Sequence, residues 1–322
     1  MVTESLGESV CFPDSCFPTL KSTAVLRVLP GGTKSVLVHA SDGNTYVVKL
    51  MGNPQGPNVL ANEALGTELA RHLGLSVPAW RAIEVSDEFL DRNKLCWFET
   101  DSGPIRPDAG LHFASRVIGQ GAPTPTYGVL PGEWLSLIDN RDDFVGMLLL
   151  DVWANHTDNR QSVFVRNPVT QKLTAVFVDY GHMFGGPSGR DSYRRGTAMY
   201  LDHRVYESLD IDAAFDRWLQ RVRMIDGSLL RRVAKSIPGA WMGGLDLEEL
   251  IAQLQMRKGV LEHFLHQEMS LVKGMGIGSP KEIEARDEFN VLGRKPAVRV
   301  RGSKTHVRER RIGTNGRESA AC

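Results

Sequence analysis

The hydrophobic pattern of this chain is mostly of strand period up to residue 117 and mostly of helical period beyond it, and that division limits the folds open to it. From Thr23 the residues read as three short strands, Ala24–Leu29, Ser35–Ala40 and Thr45–Leu50. They are separated by Pro30-Gly31-Gly32-Thr33-Lys34 and by Asp42-Gly43-Asn44, a turn in which positive φ is cheap. This predicts an antiparallel meander. Val59–Leu73 then spaces Leu60, Ala64, Leu65, Leu69 and Leu73 by close to three and four residues and stops at Gly74, which predicts an amphipathic helix. Residues 77–100 read as further strands, 100–110 as a polar Pro/Gly/Asp stretch, and Leu111–Val117 as a short apolar strand connecting two lobes. Beyond it helical spacing dominates, over Asp142–Trp153, Asp212–Val222, Leu229–Ser236 and Leu247–Met269, interrupted by one hairpin, Val163–Arg166 with Leu173–Val178. The expected class is α+β, a small antiparallel-sheet lobe followed by a larger, mainly helical one, without internal repeats.

With 322 residues, 42% of them apolar, the chain can bury a substantial core. Cys11, Cys16, Cys96 and Cys322 form no CxxC pair and are too sparse for a disulfide framework, so reduced thiols and a cytoplasmic protein are expected. Glu4, Glu8 and Asp14 precede the first basic residue, Lys21, and no apolar run reaches the length of a membrane span. Neither an export signal nor a membrane partner is expected. Formal charge is zero overall, yet residues 291–322 hold nine Lys/Arg against Glu309 and Glu318, so a tail of +7 is balanced by a body of −7. Such a tail cannot bury enough apolar surface to offset its ordering entropy and is expected to be disordered. It reads either as a solvated terminus or as a weak contact for nucleic acid or an acidic partner. The expected organisation is an N-terminal extension (1–22), a first lobe (23–110), a second lobe (111–275) and the basic tail (276–322).

Four features carry chemistry. Lys49 closes the strand Tyr46-Val47-Val48-Lys49, and the next helix supplies Glu63. A strand lysine held by a helix carboxylate is how kinases keep an ammonium on nucleotide phosphates, although a lone strand lysine usually faces solvent. Gly31 and Gly32, with Thr33, Lys34 and Ser35, form either a plain turn or a loop whose N–H groups cover phosphates; the run is neither a Walker A motif nor a GxGxxG. The polar stretch Asn155-His156-Thr157-Asp158-Asn159-Arg160-Gln161 follows an apolar helix, and Asp179 follows the strand Ala175–Val178. Two acids at opposite ends of one hairpin can face one point, one to accept a hydroxyl proton and one to hold Mg²⁺; the alternative is a turn at Asp158-Asn159 and a cap at Asp179. His156 and His182 lack metal-ligand spacing, Cys96 reads as a buried strand residue, Trp153 as a packing anchor, and Asn62 and Asn155 as amides that position loops.

In this order, Tyr46-Val47-Val48-Lys49, Gly52-Asn53-Pro54-Gln55, Leu60-Ala61-Asn62-Glu63, Leu73-Gly74-Leu75-Ser76-Val77-Pro78, Asn155-His156-Thr157-Asp158, Val178-Asp179-Tyr180-Gly181 and Ile237-Pro238-Gly239-Ala240-Trp241 resemble HipA-like kinases, in particular their short stand-alone branch. The resemblance implies a two-lobed protein-kinase-like fold and a site for ATP and Mg²⁺. By it, Lys49 contacts the α/β-phosphates, Glu63 orients Lys49, Asp158 is the catalytic base, Asp179 ligates the metal, and adenine lies against Phe113–Val117. Where such kinases place a second metal-ligating Asn, five residues after the catalytic Asp, this chain has Val163; Gln161 is the candidate substitute.

The expected function is Mg·ATP-dependent transfer to a protein Ser/Thr, with autophosphorylation; a nucleotide-binding pseudokinase scaffold and a small-molecule phosphotransferase stay open. No motif reads the acceptor, whether protein or small molecule. Because residues 291–322 lack apolar periodicity, a chain ending at Phe289 should melt within a few degrees of the full chain and bind nucleotide equally. A large fall in melting temperature would show that the tail docks on the body.

Overall fold

The computed structural model describes residues 19–29, 34–119, 124–189 and 200–274. β1 (Leu20–Val28), β2 (Val36–Ala40) and β3 (Thr45–Lys49) form the expected antiparallel meander, with Val25 opposite Val38 and Val36 opposite Val48. β1 begins before Ala24 because Leu20 and Lys21 pair in parallel with Ile83 and Glu84 of a later strand, a tertiary contact that local pattern cannot announce.

α1 (Val59–Leu73) has the bounds its spacing predicts and ends at Gly74, whose φ of 86° lets its N–H and that of Leu75 return to the Arg71 and Ala70 carbonyls. It is not merely amphipathic. Asn62, Glu63, Thr67 and Glu68, on its polar side, are buried as fully as its leucines, because the helix touches the sheet on one side and three helices on others. The burial of Glu68 is tolerated because it is partnered, accepting from Trp80 Nε1 at 2.6 Å and from Arg71 Nη1 at 2.7 Å.

β4 (Trp80–Val85) is followed by α2 (Asp87–Arg92), which corrects the expectation of strands throughout 77–100. Ser86 caps it, accepting from the Phe89 N–H at 3.1 Å, and Asp87 and Glu88 occupy the first turn, where the helix dipole favours anions. Cys96 is buried as expected, but at the end of a short 3-10 turn rather than in a strand; burial pushes its thiol up to about 11. β5 (Phe98–Thr100) and β6 (Gly103–Ile105) make a small hairpin. β7 (Gly110–Arg116) inserts between β3 and β4, and the β1–β4 pairing closes the barrel β1-β2-β3-β7-β4. The sheet thus extends past residue 110. Val36, Val38, Val48, Ile83 and Ala114 fill its interior.

The remainder is mainly helical. β8 (Thr126–Tyr127) precedes α3 (Asp143–Trp153), and β9 (Gln161–Arg166) and β10 (Leu173–Val178) complete a three-stranded sheet with β8. α4 (Ile211–Met224), α5 (Gly227–Lys235) and α6 (Leu247–Gly274) follow, and α3 packs on α4 and α6. Among the described residues no helix is long and apolar enough to cross a membrane. The basic tail and Cys11, Cys16 and Cys322 lie outside the described residues.

Two expectations follow. A Cβ at Gly146 would lie 2.6 Å from the buried Trp218 ring, which is fixed by an N–H bond of 3.1 Å to the Asp142 carbonyl. Gly146→Ala gains about 1 kcal/mol of helix propensity but overpacks the α3–α4 contact, so urea unfolding should show a net loss of about 1–2 kcal/mol. His112, fully buried, accepts the Met51 N–H at Nδ1 (2.9 Å), and burial holds it down to about 4 from an ordinary 6.5. The unfolded chain then takes the proton first as pH falls. Stability should be intact above about pH 6.5 and fall progressively towards pH 4, and His112→Asn, which keeps an acceptor for Met51, should make that decline shallower by about 1–3 kcal/mol.

Candidate active site

Three distant segments meet at Lys49. The lysine ends β3 opposite Phe113, inside the protein, with its side chain 7% exposed. Glu63, from the second turn of α1, is ion-paired with it, and the Lys49 Nζ also donates to Asp179 Oδ1 at 2.6 Å. Burial alone would discharge Lys49; the charges of Asp179 and Glu63 outweigh it and raise the lysine above its ordinary value. Burial likewise opposes the Asp179 carboxylate, but the Lys49 ammonium holds it well below the usual carboxylate range. Glu63, the second anion on one cation, is pushed upward by burial against the pull of Lys49. It has other partners: Gly181 N–H at 2.7 Å and Tyr180 N–H at 3.1 Å donate to its two oxygens.

Asp179 follows β10 with a left-handed φ of 67°. Its Oδ2 accepts from Gln161 Nε2 at 2.9 Å, so the amide singled out in the sequence lies against the acid it was expected to assist. Val163 pairs with Val176 in the β9–β10 ladder, and its side chain has no oxygen to offer a cation.

The loop between α3 and β9 carries Asp158, which is exposed and accepts at Oδ1 from the Asn159 N–H at 2.8 Å. Thr157 ties this loop to the segment after Asp179, donating its N–H to the His182 carbonyl at 2.9 Å. Arg160 and Asp151 were missed by sequence reasoning. Both side chains are 1% exposed; Arg160 Nε reaches Asp151 Oδ2 at 3.0 Å, while its Nη1 donates to the Val178 and Asp179 carbonyls, each at 2.9 Å. The guanidinium also lies 4.4 Å from the Tyr180 ring centre. The signal was available: Asp151 is an acid within the apolar run Leu148-Leu149-Leu150-Asp151-Val152-Trp153, and a charge buried there demands a partner. His156, beside this pair, is held down to about 4 by burial and then by the Arg160 charge, so near neutral pH it is uncharged.

The remaining expected site residues are placed differently. Gly31, Gly32 and Thr33 lie outside the described residues. Lys34 pairs with Glu99 at 3.2 Å and donates to the Trp97 carbonyl, on the β5 side, and makes no described contact with Lys49, Glu63 or Asp179. Ser35 accepts the Leu29 N–H at its backbone carbonyl at 2.8 Å. Of the strand expected to meet adenine, Phe113 is engaged by protein, its ring 5.4 Å from Trp80 and 6.4 Å from Trp241, whereas Ser115 to Val117 retain exposure.

The model of the HipA-like kinase family matches residues 23–168. Among solved structures, the Golgi casein kinase with Mn/ADP bound aligns with a TM-score of 0.48 at 12% identity, over 77% of this chain and 72% of that one. The proinflammatory kinase CtkA of Helicobacter pylori aligns with a TM-score of 0.48 at 12% identity, over 80% of this chain and 100% of that one. No curated protein matches the chain. The segment 23–168, which contains Lys49, Glu63 and Asp158, is thus similar to HipA-like kinases.

Proposed function

We propose that the chain is a Mg·ATP-dependent phosphotransferase that acts on Ser/Thr hydroxyls of protein, itself included. The observation that carries this reading is the single buried cluster in which Lys49, Glu63 and Asp179, from β3, α1 and the end of β10, are brought into contact. Phosphoryl transfer needs positioning and charge stabilisation more than covalent help, and each residue has a part suited to that. Glu63 keeps the Lys49 ammonium extended, so that it can neutralise phosphate oxygens. Asp158, exposed on a loop, can orient an incoming hydroxyl and accept its proton. Arg160, by gripping the Asp179 carbonyl two residues after Asp158, keeps the two acids in fixed relation.

The donor set fits Mg²⁺. Among the described residues no three His, Cys, Asp or Glu side chains cluster as a metal cage, and Mg²⁺ characteristically takes one or two carboxylates with water and phosphate oxygens. Asp179 would supply the carboxylate, and Gln161, already on its Oδ2, an amide oxygen once its terminal group turns over. A bound Mg·ATP supplies the phosphoryl group and neutralises its developing charge. By the same reading residues 23–116 form the nucleotide-holding lobe and the helical part carries the acceptor side.

Val163 favours a second reading. With an aliphatic residue where the family pattern has a metal-ligating Asn, the site could bind nucleotide without turning it over. Incubation with γ-labelled ATP and Mg²⁺ separates the two. Label should enter wild type, fall by about 10²-fold or more in Asp158→Asn, the scale of a general base, and be lost in Asp179→Ala together with at least about tenfold of the Mg·ATP affinity read by calorimetry. Tight Mg·ATP binding without label in wild type would select the scaffold, and unaltered binding by Asp179→Ala would remove that aspartate from the metal site.

A further inference from the structure

We infer that Asn62 is a positioning residue that sets the direction of the Asp179 carboxylate by fixing the backbone of the loop behind it, an inference that rests on the Mg·ATP reading above. Asn62 is fully buried, one position before Glu63 on α1. Its Nδ2 lies 3.0 Å from the Gly181 carbonyl, 2.8 Å from that of Met183 and 3.2 Å from that of Gly186. Glu63 meanwhile accepts the N–H groups of Tyr180 and Gly181. Adjacent residues of one helix thus both hold the loop, Glu63 by two of its N–H groups and Asn62 by three of its carbonyls.

The loop needs this help because it has no regular ladder of its own. Asp179, Phe184, Gly185 and Gly186 all have φ between 57° and 89°; the Met183 and Gly186 carbonyls accept single local N–H groups, from Gly186 and Gly189, while for the Gly181 carbonyl Asn62 is the donor. One turn further along α1, a Cβ at Gly66 would lie 2.7 Å from Tyr180 Cβ and 2.4 Å from Met183 Sδ, so the helix and the loop are in van der Waals contact where they are not hydrogen-bonded. The side chain that does this must be short and must present two N–H groups. Aspartate would turn a carboxylate on three carbonyl oxygens, and serine offers one donor. The Asn62 amide is engaged by the carbonyls of the loop. It acts through Asp179, which lies two residues before the first carbonyl it holds.

A purely structural amide would affect stability alone, whereas an amide that aims a metal ligand changes the Mg²⁺ requirement of nucleotide binding. The full chain is titrated with Mg²⁺ in the presence of mant-ADP, with parallel titrations of mant-ADP in EDTA and circular dichroism at 25 °C. In Asn62→Ser, which keeps one donor and leaves room for a water, the Mg²⁺ concentration for half-maximal binding should rise about tenfold or more, the effect usual for residues that orient a metal ligand, while affinity in EDTA stays within about twofold of wild type. Asn62→Asp should raise it further. A folded Asn62→Ser with the wild-type Mg²⁺ requirement overturns the inference, as does failure of both variants to fold at 25 °C, which would make the residue structural. Absence of any Mg²⁺ dependence in wild type would instead remove the underlying reading, and is recognised without any variant.

Discussion

One ammonium between two carboxylates, all three largely removed from water, is the constraint around which this molecule is arranged. Lys49 alone at that depth would lose its charge, and Glu63 alone would take up a proton. Together with Asp179 they retain a net negative charge suited to a divalent cation. Removing either partner of such a buried pair leaves an uncompensated charge at a cost of about 3–5 kcal/mol, so the contact binds β3, α1 and the β10 loop to one another whatever else it does. This is why α1 is buried on every side up to Ala70, only Arg71 and His72 of its last turn reaching solvent.

The second buried ion pair performs a different task. Asp151 and Arg160 belong to one short stretch of chain, and their attraction curls the end of α3 back on the start of β9. The remaining Arg160 donors are then spent on the Val178 and Asp179 carbonyls. Asp179 is thereby held from several directions, by Lys49 and Gln161 at its oxygens, by Arg160 at its carbonyl, and by Glu63 through the two N–H groups that follow. A non-glycine residue at φ 67° persists only where its surroundings over-determine it, and here they do.

Much of this was legible in the sequence, for identifiable reasons. α1 was readable to the residue because helical spacing and a terminal glycine are local signals. Lys49 stood out because the next helix supplies a carboxylate, Glu63, and Asp179 because it and Asp158 stand at opposite ends of one hairpin. What could not be read depends on partners far away in the chain. Leu20 and Lys21 are strand only because β4 is beside them. Lys34 sits in a sequence suited to phosphate, yet Glu99 and Trp97 take up its ammonium. Asp87–Arg92 lay within text taken for strands, although Ser86 and the two acids after it spelled a helix start.

The barrel's closure has a further consequence for how the lobe comes together. β1 and β2 pair along most of their length, as do β4 and β7, but the seam between β1 and β4 is a parallel ladder of two residue pairs, braced by an exposed Lys21–Glu84 contact of 4.0 Å. Its partners lie more than sixty residues apart in sequence, as do those of β3 and β7, but here two residue pairs rather than four offset the loop-closure entropy. The seam is therefore the last part of the sheet to zip and the first to fray. Local opening of the lobe can begin there without disturbing the lysine, which is carried on β3, the strand held by full ladders on both flanks.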